Sequence, residues 1–434
     1  MLKLNFKYYS GYLLKSELLR SASILISGTV IAQLISFFLQ PFIRRFFSLE
    51  LFGTYSAYLS LIGIITVVSS FRFDDTIVLP KTDKESTNVI GLSLIFNFFV
   101  NLVLFIFALV NGEKIKEFLN LSSSFPVPLY VVPIGAFLYN SYQCLNFWLI
   151  RKRKYYSVSI NKLLRRSTEG VSQVIFALLK FPFGLIFSDI IGQIANVFTV
   201  IIQTFRNGLN LKLISLNRLK YVFKKYRDFP IYNMIPAFMS TCSFLLPPLF
   251  INMIFSAESA GIFDAAKFVL SVPLALVGSS FSSVLLQKVS EKYNKRESFL
   301  TDLKPVILIV GAISIAEIFA ILFFGEDLLK ILFGKTYIFS GRISKILVWS
   351  FTFNFTVSTF TTIFVSMRRI KAYSLYQLFY FLAILSLLFF KSLEFTEFLK
   401  VYVIIEVICY CLLTSVLIYI IARYEISLKQ LIAK

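Results

Sequence analysis

Apolar residues occur in long, unbroken runs along this chain, and most polar residues gather between the runs. A helix needs about 20 mostly apolar residues to cross a bilayer. Twelve runs reach that length, at 22–43, 52–72, 87–110, 127–149, 157–179, 182–203, 230–254, 261–286, 305–324, 343–367, 372–390 and 399–421. The pattern therefore predicts an all-α integral membrane protein with 12 transmembrane helices.

Two runs have unusual starts. A basic amphipathic segment with Lys3, Lys7 and Lys15 leads into the first run, which is too long for a signal peptide and is expected to stay as an anchor. The fourth run contains Pro126 and Pro128 in its first part, which predicts a loop or interfacial segment there rather than helix.

The composition excludes several classes of protein. The chain has 434 residues, 57% of them hydrophobic and only 15% charged, which is too few charges to cover a soluble globule. Histidine is absent, so histidine catalysis and His-ligated metals are excluded. The four cysteines lie in apolar runs without a CxxC pair. We expect no catalytic residues, no metal and no cofactor.

The net charge of +21 is distributed unevenly between the connecting segments. If the N-terminus is cytoplasmic, 29 Lys and Arg residues fall on the cytoplasmic side and 11 on the other. The positive-inside rule then places both termini in the cytoplasm. Because this rule explains most of the positive charge, no nucleic-acid partner is expected. The RKRKYY run at 151–156 is typical of anchoring beside anionic lipid.

The two halves of the chain resemble each other. Gln40-Pro41 is followed by FSLELFGTY, which contains Gly53, and Pro247-Pro248 is followed by FSAESAGIF, which contains Gly261, 208 residues after Gly53. Six spans per half predict a parallel repeat whose axis runs along the membrane normal. We expect an N-terminal lobe at 1–205, a basic cytoplasmic linker at 206–229 and a C-terminal lobe at 230–434.

Several motifs together resemble the polysaccharide/O-antigen flippase family (Wzx type) of the multidrug/oligosaccharidyl-lipid/polysaccharide (MOP) exporter superfamily. Their order and spacing cover nearly the whole chain. They are Gln40-Pro41, Glu50-x-Phe52-Gly53-x-Tyr55, SFRFDDTIVLP (70–80), GLIFSDIIGQI (184–194), KKYRDFPIYNMIP (224–236), AGIF (260–263), Pro273 and ILFGKTYIFSGRISKIL (331–347).

The resemblance implies two six-helix bundles in a V-shaped, MATE- or MurJ-like arrangement around a cationic cavity, working by alternating access. It implies a flippase in the bacterial inner membrane that moves undecaprenyl-diphosphate-linked oligosaccharide units to the outer face. A polysaccharide polymerase and a chain-length regulator are the partners that such a role suggests. The resemblance assigns no binding residue, because those residues vary in this family.

A few charges lie inside the apolar runs, where each costs about 2.5–3.5 kcal/mol and usually faces a cavity. The candidate cations for a diphosphate are Lys267, Arg165 and Arg166. Arg165 and Arg166 could instead snorkel to the cytoplasmic interface from a first helical turn. Lys267 could instead pair with Asp264, three residues earlier on the same helix face.

Polar stripes on three runs could line a cavity for a glycan or could bond helices together. They contain the candidate lining residues Gln33, Gln40, Asp189, Gln193, Asn196 and Asn354, with Ser358 and Thr361 continuing the last stripe. The in-span carboxylates Glu317, Glu406, Asp264 and Glu169 are candidates for coupling to H⁺ or Na⁺, or for counter-ions.

Two other functions fit part of the pattern. A cation-coupled multidrug exporter would use the deep carboxylates but should avoid Arg and Lys inside its spans. A membrane glycan polymerase or ligase needs a large external loop, and the predicted outside loops are only about 17–18 residues long.

Overall fold

The computed structural model describes residues 17–121 and 129–432, and every helix below belongs to that part of the chain. The predicted basic N-terminal segment and the proline loop at 122–128 lie outside the described residues. Within them the chain forms α-helices, short 3₁₀ and π turns and connecting loops, with no strand. The all-α prediction is confirmed for these residues.

The helices fall into two compact units. The first unit contains the described residues of Met1–Phe47, Leu61–Phe118 and Phe125–Phe238, and the second contains those of Ser48–Ser60, Leu119–Ser124 and Met239–Lys434. Helices α2 and α8 each cross from one unit to the other along their length.

The first unit holds the helices α1 (Glu17–Ile43), the second half of α2 (Leu49–Ser69), α3 (Asp83–Phe118), α4 (Val131–Arg151), α5 (Tyr155–Leu178), α6 (Gly184–Arg206) and α7 (Leu216–Tyr226). Helix α5 packs between α1 and α6, and α4 packs against α3 and α6. The charged residues inside the spans of this unit lie on α5 and α6. Their positions are therefore set by the packing of α5 and α6 against each other and against α1 and α4.

The second unit holds the first half of α2 and the helices α8 (Ile235–Ile254), α9 (Ala257–Lys295), α10 (Leu300–Phe333), α11 (Ile338–Ser358), α12 (Thr362–Ser366), α13 (Ile370–Leu385) and α14 (Phe395–Ile432). Helix α11 is the central element, because α9, α10 and α14 all pack against it. The side chains that line the pocket described below come from α8, α9, α11, α13 and α14.

Polar groups point inward and apolar groups outward on several helices, as in α3. Asn88, Asn97 and Asn101 are buried, whereas Val103 and Val110 on the same helix are 64% and 76% exposed. The buried amides bond to neighbouring elements; Asn97 Nδ2, for example, donates to Ser141 Oγ of α4 at 3.0 Å. Such an apolar exterior is stable in lipid rather than in water.

Nine helical segments of the described chain are long and apolar enough to span a membrane, so the protein is a multi-pass membrane protein. They are Leu49–Ser69, Asp83–Phe118, Gly184–Arg206, Pro230–Ile254, Ala257–Lys295, Leu300–Phe333, Lys335–Ser366, Ile370–Phe390 and Phe395–Gln430. The other three predicted spans, 22–43, 127–149 and 157–179, coincide with α1, α4 and α5. These helices are not among the nine, because their apolar parts are shorter or contain more polar residues than those of the nine.

Two close helix contacts lie in the second unit. A Cβ added at Gly53 of α2 would meet the Ala257 carbonyl oxygen at 1.8 Å, and one added at Gly261 of α9 would meet the Leu49 oxygen at 1.9 Å. Leu49 stands four residues before Gly53, as Ala257 does before Gly261. Each glycine thus approaches the carbonyl oxygen four residues before the other glycine. The two contacts are equivalent positions 208 residues apart, which is the offset of the predicted repeat.

Candidate functional site

Lys267 lies on α9 and faces a small pocket inside the second unit. Its Nζ is 4.0 Å from the ring centroid of Phe244 on α8, at cation–π distance. No carboxylate comes within 4 Å of this ammonium in the described part of the chain. The other side chains at the pocket come from α11, α13 and α14: Phe351, Asn354, Tyr380, Tyr402, Glu406 and Tyr410.

Glu406 forms the acidic side of this pocket and is only 2% exposed. Its carboxylate accepts hydrogen bonds from Ser350 Oγ at 3.1 Å and from the Tyr380 hydroxyl. The Tyr380 and Tyr410 hydroxyls are 3.2 Å apart, and Asn354 Nδ2 donates to the Tyr410 hydroxyl at 2.5 Å. A buried carboxylate is stable only when such donors replace its water.

Lys267 and Glu406 act on each other electrostatically without forming a direct ion pair. Their charges balance across the pocket, so an anion could approach the ammonium and a cation the carboxylate. Tyrosine hydroxyls and the Asn354 amide line the same pocket as the two charges. This combination can bind a polar ligand through both charge and hydrogen bonds.

The tyrosines of this pocket were not among the predicted site residues. Tyr402, Glu406 and Tyr410 follow one another at four-residue spacing on α14, so they share one face. On α13, the ring of Tyr380 is tilted against that of Tyr410 at 5.9 Å and stacks on that of Tyr376 at 5.9 Å, although Tyr376 does not itself line the pocket. The four-residue repeat around Glu406 was the sequence signal that could have revealed them.

The two other candidate carboxylates of this unit lie apart from the pocket lining. Glu317 of α10 is half-buried and accepts a hydrogen bond from Thr352 Oγ1 of α11 at 2.9 Å. Asp264 lies one helical turn before Lys267 and acts on it electrostatically, but no ion pair of 4 Å or less joins the two described side chains.

Arg165 and Asp189 form a buried ion pair between α5 and α6 of the first unit. The Arg165 guanidinium lies 3.1 Å from the Asp189 carboxylate and 5.4 Å from the ring centroid of Tyr139. Gln193 Nε2 donates to the second oxygen of Asp189 at 2.7 Å. The carboxylate of Asp189, which the sequence suggested as cavity lining, thus sits between two donors.

Arg166 also has a carboxylate partner. It lies 3.0 Å from Glu169, three residues along the same helix, and its side chain is 40% exposed whereas that of Glu169 is 5% exposed. Gly192 of α6 makes this region tight, because a Cβ there would be 3.0 Å from Glu169 Cβ. Both arginines are therefore charge-compensated within the first unit, in contrast to Lys267.

The remaining stripe residues occupy separate positions. Gln40 accepts from Arg44 Nε at 3.0 Å on α1, Gln33 is half-buried on the same helix, and Asn196 is buried on α6. The stripe from Asn354 does not continue along one helix as predicted, because α11 ends at Ser358 and Thr361 lies in the break before α12. Only Asn354 of that stripe lines the pocket.

The described residues contain no group of three His, Cys, Asp or Glu side chains placed to hold a metal ion. The cysteines among them form no disulfide: Cys144, Cys242 and Cys409 are buried free thiols, and Cys411 is an exposed one. Charge and hydrogen bonding are thus the chemistry that the site offers.

A sequence model of the family described as "Polysaccharide biosynthesis protein" matches residues 42–340, more than half of the chain. The chain belongs to this polysaccharide biosynthesis family. It is 26% identical over 336 residues to the "Capsular polysaccharide biosynthesis protein CapF" of Staphylococcus aureus, which covers 71% of this chain and 76% of the relative.

Solved structures of membrane transporters share the fold. The lipid II flippase MurJ in an inward closed conformation superposes with a TM-score of 0.71 at 16% identity, over 93% of this chain and 91% of that one. An outward-facing MATE transporter of the MOP superfamily gives 0.62 at 13% identity, over 95% and 98%. A MOP superfamily transporter from Pyrococcus furiosus, whose binding pocket is described as having reverse polarity, gives 0.61 at 14% over 93% and 95%.

These findings confirm the resemblance drawn from the sequence motifs. The polysaccharide biosynthesis family includes the chain, and its fold is that of the MATE and MurJ transporters. The chain is thus a multi-pass membrane protein of the polysaccharide biosynthesis family that has the fold of these transporters.

Proposed function

We propose that this protein is a flippase for undecaprenyl-diphosphate-linked oligosaccharide repeat units of the O-antigen or capsule type, moving them from the cytoplasmic to the outer face of the inner membrane by alternating access. The observation that carries the proposal is the Lys267 pocket. There an ammonium that no described carboxylate neutralises directly stands beside tyrosine hydroxyls and an amide, in a chain of the polysaccharide biosynthesis family.

The chemistry of the pocket suits such a ligand. A lipid-linked diphosphate carries roughly two negative charges, and lysine binds phosphate as a point charge. Glycans offer many hydroxyl groups, which the tyrosine hydroxyls and Asn354 can bond, and tyrosine rings offer flat apolar faces to a sugar. Glu406 would be the counter-ion of Lys267 while the pocket is empty.

The two arginines take a different place in this proposal from the one that the sequence suggested. Asp189 and Glu169 neutralise Arg165 and Arg166, so neither arginine is proposed to supply free positive charge. Arg165 is proposed to hold α5 and α6 together through Asp189, whereas Arg166 pairs within α5. Glu317 and Glu406 remain the proposed groups for H⁺ or Na⁺ coupling, since both are carboxylates with hydroxyl donors inside the span region.

The proposed topology has 12 spans in two six-helix lobes, 1–205 and 230–434, joined by the basic linker at 206–229. Both termini are proposed to be cytoplasmic. The loop charges support this arrangement through the positive-inside rule. In a polysaccharide assembly system the flipped unit would next be used by a polymerase, whose chain lengths a separate regulator would set.

The proposal is tested by deleting the gene in its native host and measuring surface polysaccharide and the side on which lipid-linked units accumulate. We expect loss of surface polysaccharide and accumulation on the cytoplasmic face. Normal polysaccharide together with greater dye sensitivity would instead indicate the multidrug exporter.

Complementation of that deletion then tests the pocket. Lys267→Gln should reduce surface polysaccharide at least tenfold at equal protein level, because one charge-assisted phosphate contact is worth about 1.5–3 kcal/mol. Lys267→Arg should keep part of the activity. The matched control is Lys288→Gln on the same helix, whose side chain is 57% exposed and lies outside the pocket. Full activity of Lys267→Gln would overturn the role of this pocket.

A further inference from the structure

The connection between α6 and α8 carries a concentrated positive charge. Seven Lys and Arg residues lie from Arg206 to Arg227, and the same stretch contains no Asp or Glu. Its main element is α7 (Leu216–Tyr226), an amphipathic helix with Val222 and Tyr226 buried against the first unit. The proposed transport of a lipid-linked oligosaccharide does not involve this surface.

Helix α7 is held firmly in its place. Glu85 of α3 lies 2.5 Å from Lys225 Nζ and accepts a hydrogen bond from the Tyr226 hydroxyl at 2.9 Å. The ring of Phe223 is 5.8 Å from that of Phe73 and 6.2 Å from that of Phe96. The hydrogen bond to Glu85 also raises the pKa of the Lys225 ammonium, so this lysine stays charged in its ion pair.

The position of α7 along the chain fixes its depth. The span Gly184–Arg206 ends ten residues before the helix starts, and the span Pro230–Ile254 begins four residues after it ends. A helix tied this closely to two spans, and packed on the end of a third, lies at the membrane surface. By the distribution of positive charge this is the cytoplasmic surface.

The outward side of α7 combines lysines with apolar side chains. Lys220 and Lys224 are exposed, and no carboxylate lies within 4 Å of either one in the part of the chain that the structure describes. Leu216 is 76% exposed and Tyr221 57% exposed beside them. A free basic row bordered by apolar groups is the pattern of a helix that lies among lipid headgroups.

The other basic run differs in this respect. Arg151 and Lys152 both bind Asp83, with the guanidinium at 3.3 Å and the ammonium at 2.5 Å from its two oxygens. The sequence suggested anionic-lipid anchoring at 151–156, but two of its charges are neutralised inside the first unit. The free lysines of α7 are the better placed for this role.

We propose that α7 forms a binding site for anionic phospholipid headgroups of the cytoplasmic leaflet, with Lys220 and Lys224 on the phosphate and Leu216 and Tyr221 at the acyl boundary. The site does not depend on the transported substrate. Charge complementarity and the depth of the helix favour lipid over an acidic protein surface as its occupant.

The test uses the purified full-length protein in a mild detergent and native mass spectrometry with phosphatidylglycerol or phosphatidylcholine of the same acyl chains. The wild type should retain more phosphatidylglycerol than phosphatidylcholine. Lys220→Gln/Lys224→Gln should lower the affinity for phosphatidylglycerol about five- to thirtyfold and leave that for phosphatidylcholine unchanged. Lys220→Arg/Lys224→Arg should keep the preference.

The matched control is Lys304→Gln/Lys391→Gln, which removes the same net charge at two exposed lysines outside α7. This control should keep the preference for phosphatidylglycerol. Equal retention of the two lipids by the wild type would overturn the proposal, as would an equal loss in the control pair. An acidic protein bound through Lys220 and Lys224 in the absence of any lipid preference would also overturn it. Lipid retention is measured without transport, so failure here leaves the proposed flippase intact.

Discussion

At the residue scale, the molecule handles interior charge in two ways. Arg165 has its carboxylate, Asp189, at ion-pair distance, whereas Lys267 faces hydroxyls, an aromatic ring and a carboxylate that does not pair with it directly. A closed ion pair joins helices, and an ammonium left without a direct pair is ready for a ligand. The same residue types thus have a structural task in one unit and a proposed binding task in the other.

Removing one partner of the Arg165–Asp189 ion pair should destabilise the protein more than removing both. Arg165→Gln removes the ion-pair partner of a buried carboxylate, which costs about 3–5 kcal/mol in comparable pairs. We therefore expect a strongly lowered melting temperature in detergent. Arg165→Gln/Asp189→Asn, which removes both charges, should recover most of it. The measurement is thermal unfolding followed by intrinsic fluorescence.

Lys400→Gln is the control for this pair, since it breaks an ion pair with Glu397 in which the two side chains are 54% and 52% exposed. Exposed pairs contribute only about 0–1 kcal/mol, so the melting temperature should change little. If the double variant were no more stable than Arg165→Gln, the pair would not be the reason for the loss.

Asp75, in the loop after α2, should make stability depend on pH. Burial raises the pKa of this carboxyl to about 6, and Arg72, at 2.7 Å, offsets that rise only in part. A folded pKa above the unfolded value adds stability that is fully present below about pH 4 and is lost as the pH rises through 6. Asp75→Asn should therefore melt at a higher temperature than the wild type at pH 8, with the difference shrinking below pH 6 and vanishing toward pH 4.

Asp83→Asn is expected to change the melting temperature at pH 8 in the opposite direction, which makes it a useful comparison. Asp83 binds Arg151 and Lys152, so its removal should lower the melting temperature at pH 8. A melting temperature of Asp75→Asn that stays below the wild type from pH 5 to 8 would show that the ion pair with Arg72 outweighs the burial of Asp75.

At the element scale, glycines set how closely helices approach. The reciprocal contact of Gly53 and Gly261 leaves no room for a methyl group, because the opposing atoms are backbone oxygens. Gly53→Ala and Gly261→Ala should each destabilise the protein by about 1–3 kcal/mol, as overpacking does. Gly311→Ala is the matched control, since nothing lies within 4 Å of its added Cβ. Alanine there should be neutral or slightly stabilising.

Thermal unfolding of these three variants measures how much each alanine changes the stability. Equal melting temperatures of Gly261→Ala and Gly311→Ala would show that α2 and α9 do not approach as closely as the structure has them.

The hydrophobic pattern predicted helices at the right places, but not their ends or breaks. Helix α3 runs to Phe118 and α9 to Lys295, beyond the apolar runs at 87–110 and 261–286, because polar helix continues outside the bilayer length. The break between Ser358 and Thr362 falls among Thr and Phe residues that carry no proline or glycine signal. Periodicity records which residues tolerate lipid, whereas ends and breaks depend on tertiary contacts.

For the candidate site, the sequence predicted some of the individual residues but not all of their contacts. Lys267, Glu406 and Asn354 stood out as polar residues in apolar runs, and the structure brings them to one pocket. The pairing of Arg165 with Asp189 did not stand out, since it depends on which helices are neighbours rather than on spacing along one helix. The three pocket tyrosines, Tyr380, Tyr402 and Tyr410, were not predicted because tyrosine is common in membrane helices for reasons of packing.

At the scale of the whole molecule, the proposed cargo makes transport electrogenic. Moving one charge across 100 mV is worth about 2.3 kcal/mol, so outward movement of a divalent anion from a negative interior gains up to about 4–5 kcal/mol. The return of Lys267 in an empty carrier is offset by Glu406. We expect flipping in proteoliposomes to accelerate with an inside-negative potential set by potassium and valinomycin.

The control for this experiment is the same vesicles with potassium equal on both sides. A rate that does not change when the potential is collapsed would contradict electrogenic movement of a divalent anion.

The contact between α2 and α9 also has a consequence in time. The segment Ser48–Ser60 packs with residues that follow it by about 200 positions in the chain. At synthesis rates of about 5–20 residues per second, Gly261 emerges roughly 10–40 s after Gly53. During that interval the face of α2 that contains Gly53 lies in the bilayer without its contact to α9. Assembly of the second unit is therefore completed only after the ribosome has passed most of the chain, and premature pairing of this face is the misfolding risk that the sequence must avoid.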